Sequence, residues 1–201
     1  MKKKLTITML YMLCMMMLLP LKADAAASYK KLYKKFLSQS SVKAGDETIS
    51  PKWYYVLNVD KKGVPELIVA DVQGVVATYY IYTVSKDKVK YLGSYDTKGV
   101  NANEPFFSYS SKYKGLISEW WTNGIGGSGS AMYQIKNKKM KESYYIYSYY
   151  DASKGYVYKI GTSGKRVSEK KATAYYNKYF KSYKTYKLKK NNKSNLKKSF
   201  D

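Results

Sequence analysis

Hydrophobic positions near the start of the chain repeat with the period of an α-helix. Apolar side chains fall at positions i, i+3, i+4, i+7 and i+8, and these are Tyr29, Leu32, Tyr33, Phe36 and Leu37. Lysines occupy the positions on the other side of the same helical wheel. The spacing therefore predicts an amphipathic helix with a lysine-coated outer face, followed by a polar loop over residues 38–51.

From Trp53 onward the period of the hydrophobic pattern changes to two. Turn residues separate short runs rich in β-branched and aromatic side chains, and such runs indicate strands. The candidate strands are 53–59, 66–71, 75–84, 88–95, 106–111, 116–122, 131–135, 140–150, 156–160 and 165–168. Short successive strands are typical of an antiparallel meander, and we predict one of about seven to nine strands.

Helical spacing returns near the C-terminus. Ser168 is a candidate N-cap residue, and the apolar face after it consists of Ala172, Tyr175, Tyr176, Tyr179 and Phe180. Residues 191–201 form either a basic tail or a short helix capped by Asn191 or Asn192. The predicted fold class is α+β, an antiparallel β-meander flanked by an N-terminal helix and one or two C-terminal helices, in a single domain over residues 26–190.

The first 25 residues have the three parts of a secretory signal peptide. Three lysines follow Met1, an apolar run covers residues 5–19, and small residues cover 23–27. The apolar run is shorter than the roughly 20 residues that a membrane-spanning helix needs. We expect cleavage after Ala25 or Ala27 and a secreted protein with no transmembrane span after cleavage, which either stays associated with the cell wall or is released. The alternative is a permanent N-terminal membrane anchor.

The chain is strongly basic. Its formal net charge is +23. Residues 1–25 hold four lysines and one aspartate, so the rest of the chain keeps a charge of +20. This charge favours anionic partners such as teichoic acids, phospholipid headgroups or host polyanions, with nucleic acid a weaker candidate outside a cell. Arg166 is the only arginine, which indicates point-charge attraction rather than geometric phosphate recognition. The alternative is a lysine-rich composition that reflects A/T-rich codons.

The segment Asn58-Val59-Asp60-Lys61-Lys62-Gly63-Val64-Pro65-Glu66-Leu67 resembles the Asp-x-Asp-x-Asp-Gly-x-x-Glu-Leu turn of many exported Gram-positive proteins and of β-propeller repeats related to integrin heads. The resemblance covers about 60 residues. It implies a Ca²⁺ site whose oxygens would come from Asn58, Asp60, Val64 and Glu66. However, Lys62 stands where that pattern has a carboxylate. The alternative is a turn that only joins two strands.

The same resemblance extends to small exported domains of Gram-positive gut bacteria in the order of helix, turn, meander and closing helix. These domains imply a location and an architecture, but no activity.

Aromatic residues suggest a second kind of surface. Tyr145, Tyr147 and Tyr149 fall on one face of a predicted strand, and Trp120 and Trp121 precede them in sequence. These five residues could form a platform that stacks on sugar rings. The alternative is that one aromatic face packs in the core of a half-buried sheet.

The composition argues against common catalytic sites. The chain has no histidine, and its one cysteine, Cys14, lies in the predicted signal peptide. Common nucleophile–base pairs and most zinc sites are therefore absent from the mature chain. Glu104 and Glu119 are the one acid pair that invites inspection for glycoside hydrolysis. We predict a non-enzymatic protein that binds anionic surface polymers. The alternatives are a glycan-binding module and, third, a hydrolase.

Overall fold

The computed structural model describes residues 28–122 and 126–201. The predicted signal peptide lies outside the described residues. Helix α1 covers residues 28–37 of the described part, and two further helices are α2, Glu169–Tyr179, and α3, Lys193–Phe200. The strands are β1 Val42–Ala44, β2 Glu47–Ile49, β3 Trp53–Leu57, β4 Glu66–Gln73, β5 Val76–Ser85, β6 Lys88–Lys98, β7 Phe106–Ser110, β8 Gly115–Trp121, β9 Ser128–Lys136, β10 Lys139–Asp151, β11 Gly155–Ile160, β12 Lys165–Val167, β13 Lys184–Lys187 and β14 Lys189–Lys190.

The strands form two larger antiparallel sheets and a separate β1–β2 hairpin. The five-stranded sheet has the order β14-β3-β4-β5-β6, and the seven-stranded sheet has the order β12-β11-β10-β9-β8-β7-β13. From β7 to β12, each strand pairs with the next along the chain, as in a meander. The α+β class, the antiparallel sheets and the flanking helices are therefore as predicted.

The main core lies between the two sheets. Ile68 and Ile81 of the five-stranded sheet are fully buried in the same cluster as Leu116 of the seven-stranded sheet. Two buried tyrosines of this core, Tyr79 and Tyr109, donate their hydroxyl groups to backbone carbonyls, whereas the buried Tyr95 hydroxyl has no partner among the described residues. The Tyr109 hydroxyl, for example, donates to the carbonyl of Val59 across the sheets, at 2.9 Å.

Helices cover the outer faces of both sheets, which explains the alternation along the strands. Leu67 and Val69 of β4 point away from the main core and pack with α1, α3 and the β1–β2 hairpin. On the seven-stranded sheet, Ile117 and Met132 pack against Phe180, the residue that follows α2. The successive layers are thus helix, sheet, sheet and helix.

Two segments differ from the prediction. The predicted loop over residues 38–51 contains β1 and β2, which pair around Gly45 at a positive φ of 64°. The segment before α3 contains β13 and β14, which add an edge strand to each large sheet. These strands have only two to four residues, too few for a period of two to be visible in sequence. They raise the number of strands in residues 28–122 and 126–201 to 14.

Residues 191–201 contain the short helix, α3, rather than a frayed tail. The Asn192 side chain accepts a hydrogen bond from the Asn195 amide at 2.9 Å and so caps the helix. The neighbouring Asn191 donates its side-chain amide to the carbonyls of Leu37 and Pro51, at 2.6 and 2.7 Å. Asn191 therefore ties the start of α3 to the end of α1.

Candidate functional site

The Asp-Gly turn connects β3 to β4. Lys61 and Gly63 both have positive φ, 62° and 60°, which bends the chain sharply. The Asp60 carboxylate accepts a hydrogen bond from the Lys62 amide at 2.7 Å. The Glu66 carboxylate accepts one from the Val59 amide at 2.8 Å. Two carboxylates of the turn thus stabilise its own backbone.

Glu66 is the buried acid of this turn, with 3% of its surface exposed. Loss of solvation raises the pKa of its carboxyl from 4.5 to about 7, and the nearby Asp60 charge acts in the same direction. The Asn58 side-chain oxygen is also buried and has no hydrogen-bond partner among the described residues.

The structure places Asn58, Asp60, Val64 and Glu66 on one turn. Within residues 28–122 and 126–201, no group of three or more acidic, cysteine or histidine side chains is placed to hold a metal ion. The carboxylates of Asp60 and Glu66 already bind amides, whereas Ca²⁺ takes six to eight oxygens. One oxygen of each carboxylate is thus committed to the backbone of the turn.

Four of the five predicted platform residues form a ladder of aromatic rings. Trp120 lies 5.6 Å from Tyr145 between ring centroids, Tyr145 lies 6.5 Å from Tyr147, and Tyr147 lies 5.6 Å from Tyr149. These four side chains are half-buried and belong to none of the three core clusters. The Lys159 ammonium lies 5.4 Å from the centre of the Tyr149 ring.

Trp121 points away from this ladder. It neighbours Trp120 on β8, and successive side chains of a strand point to opposite faces. Trp121 lines a groove between α2 and the outer face of the seven-stranded sheet, which we call the α2 groove. Its volume is about 430 Å³, and the residues that line it include Glu119, Trp120, Trp121, Ser130, Tyr158 and Tyr176.

Glu119 and Ser130 lie opposite each other on β8 and β9, in the α2 groove. Burial raises the pKa of the Glu119 carboxyl above its usual value. Among the described residues, neither the Glu119 carboxylate nor the Ser130 hydroxyl has a hydrogen-bond partner. The sequence suggested Glu119 only as the partner of Glu104, but Glu104 is exposed and pairs with Lys187 at 2.8 Å.

A second groove lies between α1 and α3, and we call it the lysine groove. Its volume is about 580 Å³, and the lysines that line it are Lys31, Lys34, Lys35, Lys193 and Lys197. Lys34 is ion-paired with Asp201. The other four lysines are exposed and form no salt bridge within the described part of the chain. The groove thus concentrates positive charge from segments some 160 positions apart in sequence.

The aromatic packing beneath the two helices positions the lysine groove. Tyr33 of α1 is fully buried and lies 6.5 Å from the ring of Phe200 of α3. Phe200 in turn stacks on Tyr54 of β3, at 5.8 Å between centroids. With these residues on the inner faces, the lysines of both helices turn outward. The sequence predicted the lysine face of α1, but its proximity to α3 depends on tertiary packing.

Comparison with known proteins finds no matching family model, no matching curated protein and no matching solved structure.

Proposed function

We propose that this protein is exported, is not an enzyme, and associates with anionic surface polymers through the lysine groove. The observation that carries the proposal is the convergence of five lysines from two helices, with Asp201 as the single acid among the lining residues. In this proposal, residues 1–25 direct export and are removed. The chain then works where teichoic acids, phospholipid headgroups or host polyanions are accessible.

The chemistry of lysine determines the kind of binding. A lysine ammonium acts as a compact point charge and does not read the geometry of a phosphate as arginine does. The attraction should therefore depend on the charge density of the polymer and not on its exact chemistry. It should also weaken steeply with added salt, because the Debye length shortens to about 10 Å at 0.1 M salt.

An elongated polymer suits the groove better than a small anion. The lysines follow two adjacent helices, and their side chains are exposed or half-exposed rather than enclosed. A repeating anion could contact several of them at once, and each lysine near an anionic surface contributes about 1 kcal/mol. No helix in the part of the chain that the structure describes is long and apolar enough to cross a membrane.

The test replaces the four unpaired lysines of the groove by glutamine, as Lys31→Gln, Lys35→Gln, Lys193→Gln and Lys197→Gln together. Binding to fluorescent lipoteichoic acid is measured by anisotropy at several salt concentrations. We expect the affinity to fall by about tenfold or more, since each lost lysine removes attraction of about 1 kcal/mol or less.

A matched control loses the same charge elsewhere. Lys88, Lys90, Lys139 and Lys141 are exposed on β6 and β10, outside the lysine groove. Replacing them by glutamine should weaken binding much less. Equal losses in the two variants would show that net charge alone acts and would overturn the role of the groove. Binding that does not respond to salt would overturn the electrostatic proposal itself.

A further inference from the structure

The α2 groove contains polar groups that the rest of the fold does not use. Ser130 is 6% exposed, yet its hydroxyl has no hydrogen-bond partner among the described residues. The Glu119 carboxylate beside it is also unpartnered there. Both residues line the α2 groove, and Glu119 is half-buried. Because no described protein group holds these side-chain oxygens, they are free to form hydrogen bonds with a ligand in the groove.

We propose that the α2 groove binds a neutral saccharide ring, with Glu119 and Ser130 contacting its hydroxyl groups and the aromatic residues contacting its apolar face. This inference does not depend on the lysine groove, which lies on the other sheet of the fold. It concerns a different ligand class and different residues.

The polar side of the groove fits adjacent hydroxyl groups. Glu119 and Ser130 are directly opposite in the β8–β9 register, so their side chains leave the same face of the sheet. A carboxylate has two oxygens that accept hydrogen bonds, and a serine hydroxyl both donates and accepts. Two neighbouring hydroxyls of a sugar can therefore pair with both residues at once. Ser128 and Ser148, hydrogen-bonded to each other at 3.3 Å, add further hydroxyls along the groove.

The apolar side of the groove is aromatic. Trp121 is 44% exposed and Tyr176 is 36% exposed, which is unusual for large rings that line a cavity. Tyr158 lines the same groove from β11. Aromatic rings next to a few polar groups combine an apolar surface with fixed hydrogen bonds, as specific small-ligand sites do. The volume of about 430 Å³ has room for one or two sugar rings.

The charge of the molecule favours a neutral ligand over an ionic one. Outside the predicted signal peptide, the chain has a net charge of +20, and this charge would repel a cation that approaches the groove. An anion would meet the Glu119 carboxylate inside the groove. A neutral sugar faces neither repulsion and can still hydrogen-bond to that carboxylate. Binding should consequently be insensitive to salt.

The experiment measures intrinsic tryptophan fluorescence while sugars are added, with isothermal titration calorimetry as a second readout. The probes are glucose, galactose, mannose, N-acetylglucosamine, cellobiose, lactose and chitobiose. We expect saturable binding of at least one of them, with an affinity that changes less than about twofold when salt rises from about 0.05 to 0.5 M. The quadruple variant of the lysine groove should bind this sugar like the original protein.

Three variants locate the site, each checked for folding by circular dichroism. Glu119→Gln removes the charged acceptor and should weaken binding by about tenfold, and Ser130→Ala should weaken it several-fold. Tyr149→Ala removes a ring of the ladder on the other face of the sheet and should leave the affinity unchanged.

Four results would overturn the proposal. The first is that none of the sugars binds saturably at concentrations up to about 50 mM, and the second is that Glu119→Gln binds sugar as tightly as the original protein. The third is that Tyr149→Ala loses sugar binding, and the fourth is that tetramethylammonium displaces the bound sugar. The third result would assign sugar binding to the ladder, and the fourth would assign the groove to an ammonium ligand. Failure here leaves the polymer binding of the lysine groove intact, because that test uses other residues and depends on salt.

Discussion

At the scale of single residues, the buried acid Glu66 makes the free energy of unfolding depend on pH. Its carboxylate holds the Val59 amide, and burial raises its pKa from 4.5 to about 7. The folded protein therefore keeps this proton up to about pH 7, while the unfolded chain loses it near pH 4.5. Because the folded state binds more protons in this window, the free energy of unfolding falls as pH rises from 4.5 to 7. Above about pH 7 the carboxyl is ionised in both states, so the free energy of unfolding falls no further on its account.

We predict that Glu66→Gln removes this part of the pH dependence. Glutamine keeps an oxygen for the Val59 amide but cannot ionise. At pH 8 the variant should be more stable than the original protein by on the order of 3 kcal/mol, and near pH 4 the two should be alike. Urea unfolding followed by circular dichroism measures the difference at each pH.

Glu104→Gln is the control for this measurement. Glu104 is exposed, and its bond to Lys187 lowers the pKa of its carboxyl, so the sign of its pH dependence is opposite. A difference between Glu66→Gln and the original protein that stays constant from pH 4 to 8 would contradict the assignment to Glu66.

At the scale of elements, α3 depends on packing more than on its own sequence. It has eight residues, and isolated helices of this length are unstable in water. Its buried residues are Leu196 and Phe200, and the Phe200 ring contacts those of Tyr33 and Tyr54. Docking on the five-stranded sheet is therefore what keeps α3 folded, and it also brings Lys193 and Lys197 to the lysine groove.

We predict that Phe200→Ala lowers the free energy of unfolding by about 3–5 kcal/mol, the usual cost of removing a buried phenylalanine ring. The same variant should weaken polymer binding, because α3 would no longer hold its lysines beside α1. Denaturant unfolding and anisotropy measure the two effects. Lys198→Ala, an exposed change on the same helix, should alter stability by less than about 0.5 kcal/mol. If the two variants were equally stable, the docking of α3 would contribute little to the fold.

At the scale of the whole molecule, the net charge acts on stability as well as on binding. With two salt bridges among the described residues, most of the lysines there are not paired with an acid. Self-repulsion of this kind destabilises the compact state, and salt screens it.

We predict that the melting temperature rises as sodium chloride increases from about 0.01 to 0.3 M. If the screened repulsion amounts to about 1 kcal/mol, the rise is about 2–4 °C for a chain of this size. Differential scanning fluorimetry measures it, and the quadruple lysine-groove variant should show a smaller rise because it starts with less positive charge. A melting temperature that falls or stays constant with added salt would contradict the role of self-repulsion.

Local patterns in the sequence were sufficient for much of the fold. The period of 3.6 in α1 and α2 and the period of two from Trp53 onward act between neighbours along the chain, whereas the choice of Asn192 over Asn191 as the cap of α3 came from the structure. Each can be read without knowing what the segment packs against. The antiparallel sheets and the flanking helices follow from these patterns.

Tertiary structure decided the rest. A hydrophobic period of two shows that successive side chains of a strand point to opposite faces, but it does not show which elements cover each face. Only the packed fold separates Trp121 from the ladder of Trp120 and the three tyrosines, and only register places Glu119 opposite Ser130. The edge strands β13 and β14 and the meeting of α1 with α3 join segments far apart in sequence. Their positions depend on burial and pairing across the whole molecule, and no local pattern encodes them.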